Sequence, residues 1–228
     1  MFLDMKLAFI LKRKEARIIP RIIHYVWVGE QKMDVNDIEQ YLSTWVKYNP
    51  DYKIMIWDNK RLDFSIPYIK NAYKLKKWAN ISNYIRFYAL LNYGGIYLDT
   101  DIFLLKSLNK LLKNNCFFGF QLKSHPTHWV NNAVMGSIKG HWFIKKSLKF
   151  LLNNFDGSES ADQSSPVLIT KLLKNEGLKK YSEKGVFVKD IKIFPKEYFY
   201  PFFYNEKFLK KYIKSKTIAV HLWEKRWV

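Results

Sequence analysis

The order of hydrophobic and polar residues in the first quarter of the chain predicts two strands separated by a helix. Residues 22–28 and 52–57 are apolar or alternating runs rich in β-branched and aromatic residues, which is typical of strands. Between them, residues 34–48 place apolar side chains at helical spacing until the Asn-Pro-Asp sequence at 49–51 ends the pattern. A strand, a helix and a strand in this order predict the start of an alternating α/β domain.

The same reasoning predicts elements in the rest of the chain. The strongest helix covers residues 78–93; Gly94 and Gly95 end it, and a short strand follows at 96–98. Residues 154–165, rich in Asp, Ser and Gly, predict a flexible loop. Further helices are expected at residues 141–153 and 167–175, and further strands at 117–122, 133–138, 186–194 and 217–222.

Composition limits the class of protein. The chain has 228 residues, of which 48% are hydrophobic, enough for the core of one folded domain. Its single cysteine, Cys116, excludes an intramolecular disulfide and lies in an apolar run, which indicates a core position. The net charge of +19 favours nucleic acid, an anionic membrane surface or a phosphorylated small molecule as a partner, unless it reflects composition alone.

Residues 1–17 form an N-terminal segment ahead of a domain over residues 18–228. Residues 1–11 are mostly apolar, and three basic residues follow them. A helix of this length spans roughly 16 Å, against about 30 Å for the core of a bilayer, so it is too short to cross a membrane. In a signal peptide the charges would precede the apolar stretch. A short packed helix or an interfacial membrane helix remains.

Two carboxylates follow the short strand that ends at residue 98. Asp99 and Asp101 can both approach one ion where the chain turns at the strand end. Hard oxygen ligands suit Mg²⁺ or Mn²⁺, and such an ion would neutralise charge on a departing diphosphate. Apolar residues flank the pair, and burial of two carboxylates there is costly unless they are paired or bound to a metal. A motif this short also occurs by chance, so its context decides.

A second polar group lies on the preceding helix. Asn83 and Arg86 are three residues apart and therefore share a helical face. Arg86 forms a structural salt bridge with Asp99 or Asp101, or it contacts a bound sugar. Both roles are compatible, because buried charges are usually paired.

Several of these segments together resemble glycosyltransferase family 32. The similar segments are residues 78–86, 93–101, 19–29 and 219–223, with Trp227. The family includes bacterial capsular-polysaccharide transferases and the yeast initiating mannosyltransferase of the outer chain, and the segments are also similar to the glucosylating domain of large clostridial toxins. They occur in the expected order and are specific together, although none is specific alone.

The resemblance implies a GT-A fold over residues 18–228, an α/β domain with a Rossmann-like mixed central sheet, flanking helices and a small helical subdomain. It implies a hexosyltransferase that depends on Mn²⁺ or Mg²⁺ and uses a UDP- or GDP-sugar with retention of configuration. The expected acceptor is a glycan or lipid-linked oligosaccharide, in capsule or other surface-polysaccharide synthesis. The expected location is cytoplasmic, with peripheral contact to the anionic inner face of the cell membrane. Nucleic acid is not expected as a partner.

The resemblance also implies roles for single residues. Asp99, Asp101 and Arg86 are expected to be catalytic, and the metal is expected at Asp101, Asp99 and His221. The acceptor side is expected at Asp162 and Gln163. Family members usually carry Asp where Asn83 stands, which leaves the donor and the activity open. The expected nucleotide-sugar contacts are Trp27, which would stack on the base, with Asn83, Arg86, Asp99, Asn132, Trp223 and Arg226.

Two other classes of function stay open. Residues 207–216 combine lysines with Phe208, Tyr212 and Ile213, which suits a membrane-binding or nucleic-acid-binding surface. The departure at Asn83 also allows a degenerate protein that binds a nucleotide-sugar without turnover.

Overall fold

The computed structural model describes residues 18–29 and 35–224. The predictions made for residues 1–17, Arg226 and Trp227 therefore lie outside the described residues. Within the described ranges, no helix is both long enough and apolar enough to cross a bilayer.

Helices and strands alternate through most of the chain. The helices are α1 (Val35–Tyr48), α2 (Pro67–Lys74), α3 (Trp78–Tyr93), α4 (Trp142–Asn154) and α5 (Leu168–Asn175). The strands are β1 (Ile22–Val26), β2 (Lys53–Trp57), β3 (Gly95–Leu98), β4 (Ile102–Leu104), β5 (Cys116–Phe120), β6 (Val130–Ser137), β7 (Val186–Val188), β8 (Ile191–Phe194) and β9 (Ala219–His221). A π-helical turn at Gln163–Val167 leads directly into α5.

The central sheet is mixed, as the sequence predicts. It has seven strands in the order β2-β1-β3-β6-β5-β8-β7. Strand β1 runs parallel to both β2 and β3, whereas β6 returns antiparallel to β3. Strands β4 and β9 form a separate two-stranded antiparallel ladder. This arrangement confirms the expected α/β class.

Buried side chains cover both faces of the sheet. One cluster joins the sheet to α2, α3, α4 and α5, and it includes the fully buried Cys116 that was expected in the core. A second cluster joins the sheet to α1, β4 and β9. Helices on both faces are what a sheet with parallel strands requires, because its apolar side chains point out of both faces.

Some short elements differ from the sequence prediction. The single strand expected at residues 186–194 is two strands, because Lys189 has a left-handed φ of 55° and β7 turns back along β8. Helix α2 and strand β4 lie where the pattern predicts no element. Helix α2 has eight residues and β4 has three, and β4 is held by pairing with β9 far along the chain.

Gly94 and Gly95 set the path from α3 into β3. Their φ values are 68° and 108°, a region that residues with a Cβ rarely adopt. A Cβ on Gly94 would lie 2.7 Å from the backbone nitrogen of Lys139, and one on Gly95 would lie 2.7 Å from the carbonyl oxygen of Ile22. Only glycine fits at either position, so β3 can follow the helix at once and lie against β1.

His24 is a buried histidine in β1 whose two ring nitrogens both have partners. Its Nε2 donates to the carbonyl oxygen of Gly94 at 2.8 Å, and its Nδ1 accepts from the indole N–H of Trp57 at 3.2 Å. This arrangement requires the neutral ring, because a proton on Nδ1 would face the indole N–H. Burial lowers the pKa of His24 to about 4.

We expect His24 to make the protein less stable in acid. Its ring takes up a proton near pH 6.5 in the unfolded chain but only near pH 4 in the folded one, so unfolding becomes easier as the pH falls through this window. The free energy of unfolding should drop by about 3 kcal/mol. Urea unfolding should show this loss in the native chain but not in His24→Asn, whose amide oxygen can still accept from Trp57. Equal pH slopes in the two proteins would contradict the assignment.

Candidate active site

Three strands of the central sheet place predicted site residues at the same edge of the sheet. Trp27 follows β1 and Asp99 follows β3, and both lie beyond the carboxyl ends of neighbouring parallel strands. Strand β6 begins at this edge, where the backbone N–H of Asp99 donates to the carbonyl of Ala133 at 2.9 Å, so Asn132 lies close by. Ligands of such sheets bind beyond the carboxyl ends of the strands, where the strand order reverses, as it does between β1 and β3.

Arg86 on α3 is a buried cation with several partners. Its Nη2 forms an ion pair with Asp99 Oδ1 at 3.2 Å and donates to Ser82 Oγ at 3.3 Å. Its Nη1 donates to the carbonyl of Asn132 at 3.1 Å, and the guanidinium lies 4.7 Å from the centroid of the Tyr97 ring. Of the roles that the sequence left open for Arg86, the salt bridge to Asp99 is therefore present.

Tyr97 and Ser82 complete the support of Asp99, and neither is among the site residues predicted from the sequence. The phenol of Tyr97 donates its one proton to Asp99 Oδ1 at 2.7 Å, so the Ser82 hydroxyl must donate to the phenol oxygen, also at 2.7 Å. Burial raises the pKa of Asp99, although Arg86 acts in the opposite direction. Sequence spacing offered a signal: Tyr97 lies two residues before Asp99, and Ser82 lies one turn before Arg86.

Asp101 and His221 form a second ion pair. Asp101 Oδ1 lies 3.1 Å from His221 Nε2, and Oδ2 accepts from the backbone N–H of Glu224 at 2.9 Å. The β4–β9 ladder brings the two together, because its register pairs Ile102 with His221. Burial opposes the charge on both groups. Their mutual attraction outweighs it, and so lowers the pKa of Asp101 and raises the pKa of His221.

Trp223 packs against His221 in a strained backbone conformation. The centroids of the two rings are 4.0 Å apart, and the indole N–H donates to the carbonyl of Phe202 at 3.2 Å. The φ of Trp223 is 61°, which a bulky residue adopts only where its surroundings hold it. Such strain is concentrated at functional sites, which fits the expected ligand contact.

Trp27 is half-buried at the end of β1. It packs against the cluster that includes α1, and its backbone N–H donates to the carbonyl of Trp57 at 2.9 Å. The ring is therefore held in place but keeps an accessible part. Its stacking on a base stays a prediction.

Asn83 anchors the loop between α4 and α5. Its amide nitrogen donates to the carbonyl of Ala161 at 2.8 Å and to Ser164 Oγ at 3.0 Å. Asn80, one turn earlier, makes two similar bonds to the same loop. Helix α3 thus holds the segment that the sequence predicts to be a flexible loop.

The two residues predicted on the acceptor side belong to this loop. Asp162 Oδ2 lies 3.5 Å from His128 Nε2, and the side chain of Gln163 is exposed. Both residues neighbour the segment that Asn83 anchors. Their contact with an acceptor stays a prediction.

Asn132 and His221 each leave a buried polar atom without a hydrogen-bond partner among the described residues. Asn132 is 0% exposed, and its Oδ1 accepts from Ser165 Oγ at 2.6 Å, while its Nδ2 is unpaired. In His221, Nε2 faces Asp101 and Nδ1 is unpaired. Five other buried side-chain atoms among the described residues are also unpaired, so these two are candidates for contact with a bound molecule because of their position near Asp99 and Asp101.

Asp101 and His221 offer the donor set expected of a metal site, but not a complete one. Over residues 18–29 and 35–224, no three Asp, Glu, His or Cys side chains are grouped to hold a metal ion. A carboxylate and an imidazole are suitable ligands for a divalent ion such as Mn²⁺. A metal held here would take further ligands from a bound molecule.

Two family profiles match consecutive parts of the chain. The profile described as "Glycosyltransferase sugar-binding region containing DXD motif" matches residues 36–118, and "Alpha 1,4-glycosyltransferase conserved region" matches residues 136–227. The first match contains Asp99 and Asp101, and the second contains His221. Together the two matches show that the chain is a glycosyltransferase. This assignment confirms the resemblance found in the sequence.

Two curated relatives are similar in sequence to this glycosyltransferase. It is 29% identical over 201 residues to an uncharacterized glycosyltransferase of Acanthamoeba polyphaga mimivirus, and the alignment covers 83% of this chain and 76% of that protein. It is 33% identical over 147 residues to a mannosyl phosphorylinositol ceramide synthase of Saccharomyces cerevisiae, which covers 59% of this chain. The aligned part is 36% of the yeast protein, so this chain matches about a third of that enzyme's length.

A solved structure shares the fold of this glycosyltransferase. The PaToxG glycosyltransferase superposes with a TM-score of 0.54 at 19% sequence identity, covering 77% of this chain and 79% of that one. At this identity the likeness concerns the fold alone. The GT-A fold expected from the sequence is confirmed.

We expect Asn83→Asp to destabilise the glycosyltransferase and to loosen the loop at residues 154–165. A carboxylate cannot donate a hydrogen bond, and one of its oxygens would face the carbonyl oxygen of Ala161. The free energy of unfolding should fall by about 1–3 kcal/mol. Urea unfolding measures this loss, and limited proteolysis should show faster cleavage in the loop.

Asn92→Asp is the matched control for this change. Asn92 lies on the same helix, is exposed, and donates to the carbonyl of Tyr88 one turn away. If both variants were equally stable and equally resistant to protease, the anchoring role of the Asn83 amide would be wrong.

Proposed function

We propose that this glycosyltransferase moves a hexose from a UDP- or GDP-sugar to a glycan or lipid-borne acceptor, with a divalent metal ion and with retention of configuration. The observation that carries the proposal is the buried Asp101–His221 pair beside Asp99, in which one imidazole nitrogen is unpaired. Retention follows from the family resemblance.

Asp101 and His221 would hold the metal, as Mn²⁺ or Mg²⁺. The lowered pKa of Asp101 keeps its carboxylate ionised at neutral pH. His221 Nε2 lies 3.1 Å from the Asp101 carboxylate, so the two side chains already present their ligand atoms to each other, and the ion would replace this contact. When bound, the ion supplies positive charge against the leaving nucleoside diphosphate.

Asp99 and Asn132 would orient the donor sugar. Arg86 and Tyr97 fix Asp99 Oδ1, so the carboxylate is held in one direction and can accept a hydrogen bond from a ribose or sugar hydroxyl. The unpaired Nδ2 of Asn132 can donate to such a hydroxyl. Sugar hydroxyls both donate and accept, so an acceptor and a donor on neighbouring strands suit them.

Trp27 and Trp223 would bound the nucleotide. Trp27 presents a half-buried ring at the end of β1, and aromatic rings stack on any base. Trp223 is packed against His221 and would contact the nucleotide-sugar on the metal side. Arg226 would pair with phosphate.

The acceptor is proposed to be borne by a lipid at an anionic membrane face. One relative is named as a mannosyl phosphorylinositol ceramide synthase, and ceramide is a lipid. The net charge of +19 favours an anionic surface. Asp162 and Gln163, on the loop that α3 anchors, would face this acceptor.

A second candidate is a protein that binds a nucleotide-sugar without turnover. Asn83 favours it, because the amide that replaces the usual carboxylate has its nitrogen engaged with Ala161 and Ser164. This candidate predicts nucleotide binding by calorimetry with no release of product.

We expect Asp101→Asn to reduce metal-dependent hydrolysis of the preferred UDP- or GDP-sugar by about 100-fold or more, because the site loses a charged ligand for the metal. The release of UDP or GDP is measured with Mn²⁺ and again with a chelator. The configuration of the first sugar anomer released reports retention or inversion.

Asp190→Asn is the matched control. Asp190 Oδ2 lies 3.2 Å from His141 Nε2, close to the 3.1 Å of the Asp101–His221 pair, but on α4 and the β7–β8 turn. Asp190→Asn should keep hydrolysis near the native rate. Equal losses in both variants, or hydrolysis that ignores the chelator, would contradict a metal site at Asp101.

A further inference from the structure

A basic loop projects from the protein after β8. We use this name for residues 203–216. Exposed apolar side chains lie among its lysines, with Phe208 at 38%, Leu209 at 40% and Tyr204 at 56% exposure. Its exposed lysines include Lys207, Lys210, Lys211 and Lys214, and none of these four takes part in an ion pair between described residues.

The basic loop has a fixed place on the protein. The buried ring of Phe202 packs against Phe208 with centroids 5.2 Å apart and against Tyr212 at 6.4 Å. The backbone N–H of Lys214 adds a hydrogen bond to the Thr217 hydroxyl at 2.9 Å. The exposed lysines and Leu209 therefore lie on a loop that is held against the protein.

The basic loop also begins beside the candidate metal site. The ring of Phe203 lies 5.4 Å from the ring of Trp223, which in turn lies 4.0 Å from the ring of His221. A surface bound by this loop would therefore lie close to the candidate site, because Phe203 of the loop contacts Trp223.

We propose that the basic loop docks the protein on an anionic lipid surface. Leu209 and the exposed part of the Tyr204 ring enter the headgroup region, and the lysines lie at the level of the lipid phosphates. The use of this docking, to bring a lipid-borne acceptor to the site, rests on the proposed function. The docking itself does not.

The mixture of side chains favours lipid over nucleic acid. Both partners attract lysines, but an aliphatic side chain such as Leu209 gains from burial in lipid and gains little on a phosphate backbone. Each lysine near an anionic membrane strengthens binding by roughly fivefold. The removal of three charges should therefore weaken binding by about 100-fold.

The test compares two full-length variants with equal net charge. One carries Lys207→Gln, Lys210→Gln and Lys211→Gln, and the other carries the same change at Lys70, Lys145 and Lys149, which are exposed on α2 and α4. The probe is a vesicle of equal parts phosphatidylcholine and phosphatidylserine, with pure phosphatidylcholine for comparison. The first variant should lose about 100-fold in vesicle binding, and the second should lose much less.

Equal losses in the two variants, or no binding by the native chain to the anionic vesicle, would overturn the proposal. Residues 1–17 are the same in both variants and cannot cause a difference between them.

Leu209→Ser separates lipid from nucleic acid. It should weaken vesicle binding severalfold and leave the binding of a single-stranded RNA unchanged. Vesicle binding that ignores Leu209, together with RNA binding that depends on the three lysines, would assign the loop to nucleic acid instead.

Donor hydrolysis measured without vesicles distinguishes a failure of the docking proposal from a failure of the proposed function. Both triple variants should hydrolyse the donor at the native rate, because none of the changed lysines lies in the candidate site. Failure of hydrolysis in the native chain would count against the proposed function and leave the docking result standing.

Discussion

The candidate site depends on one buried cation, the guanidinium of Arg86. Its donors reach Asp99 after β3 and the carbonyl of Asn132 in β6, and Ser165 in the π-helical turn lies 3.5 Å from Nη1. Arginine keeps its proton at any pH at which a protein folds, so its burial is tolerable only if its donors are satisfied. Helix α3, strands β3 and β6 and the π-helical turn must therefore pack together if all the donors of Arg86 are to have partners. Removal of one partner would leave a buried charge unpaired, at about 3–5 kcal/mol.

The two aspartates of the motif are held in different electrostatic surroundings. Asp99 faces Arg86, a cation that never titrates and that the fold keeps in place. Asp101 faces His221, a group that can lose its charge. One carboxylate thus has a permanent counter-charge, and the other has a counter-charge that a metal ion can replace. Two chemically identical residues therefore differ in the charge that faces them.

The sequence predicts the parts of this site that local rules determine. Helix α3, the Gly94–Gly95 turn and strand β3 follow from periodicity and from glycine conformation, and a salt bridge of Arg86 with Asp99 or Asp101 follows from burial of a charge on an apolar helix. The strand that carries His221 is also predicted. The same rules place Tyr97 on the face of Asp99, but its role depends on a hydrogen bond that local rules do not predict.

Other features depend on partners that are distant in sequence. Strand β4 is three residues long and exists as a strand because β9 pairs with it. The amide of Asn83 donates to a main-chain carbonyl in a loop. Every residue has such a carbonyl, so the sequence does not indicate which one is the partner. The turn between β7 and β8 requires Lys189 in the left-handed backbone conformation, which lysine as a residue type does not predict.

The β4–β9 ladder has a consequence for the order in which the protein is assembled. Strand β9 is the last strand of the described chain, and contacts between residues so far apart in sequence form late, because a long loop must close before they are made. During synthesis the sheet of β1, β2 and β3 can pair while the segment that carries His221 has yet to leave the ribosome. The core cluster that joins the sheet to α2, α3, α4 and α5 and the contacts of Arg86 can then precede the Asp101–His221 pair, so much of a nascent chain can be folded before its candidate metal site exists.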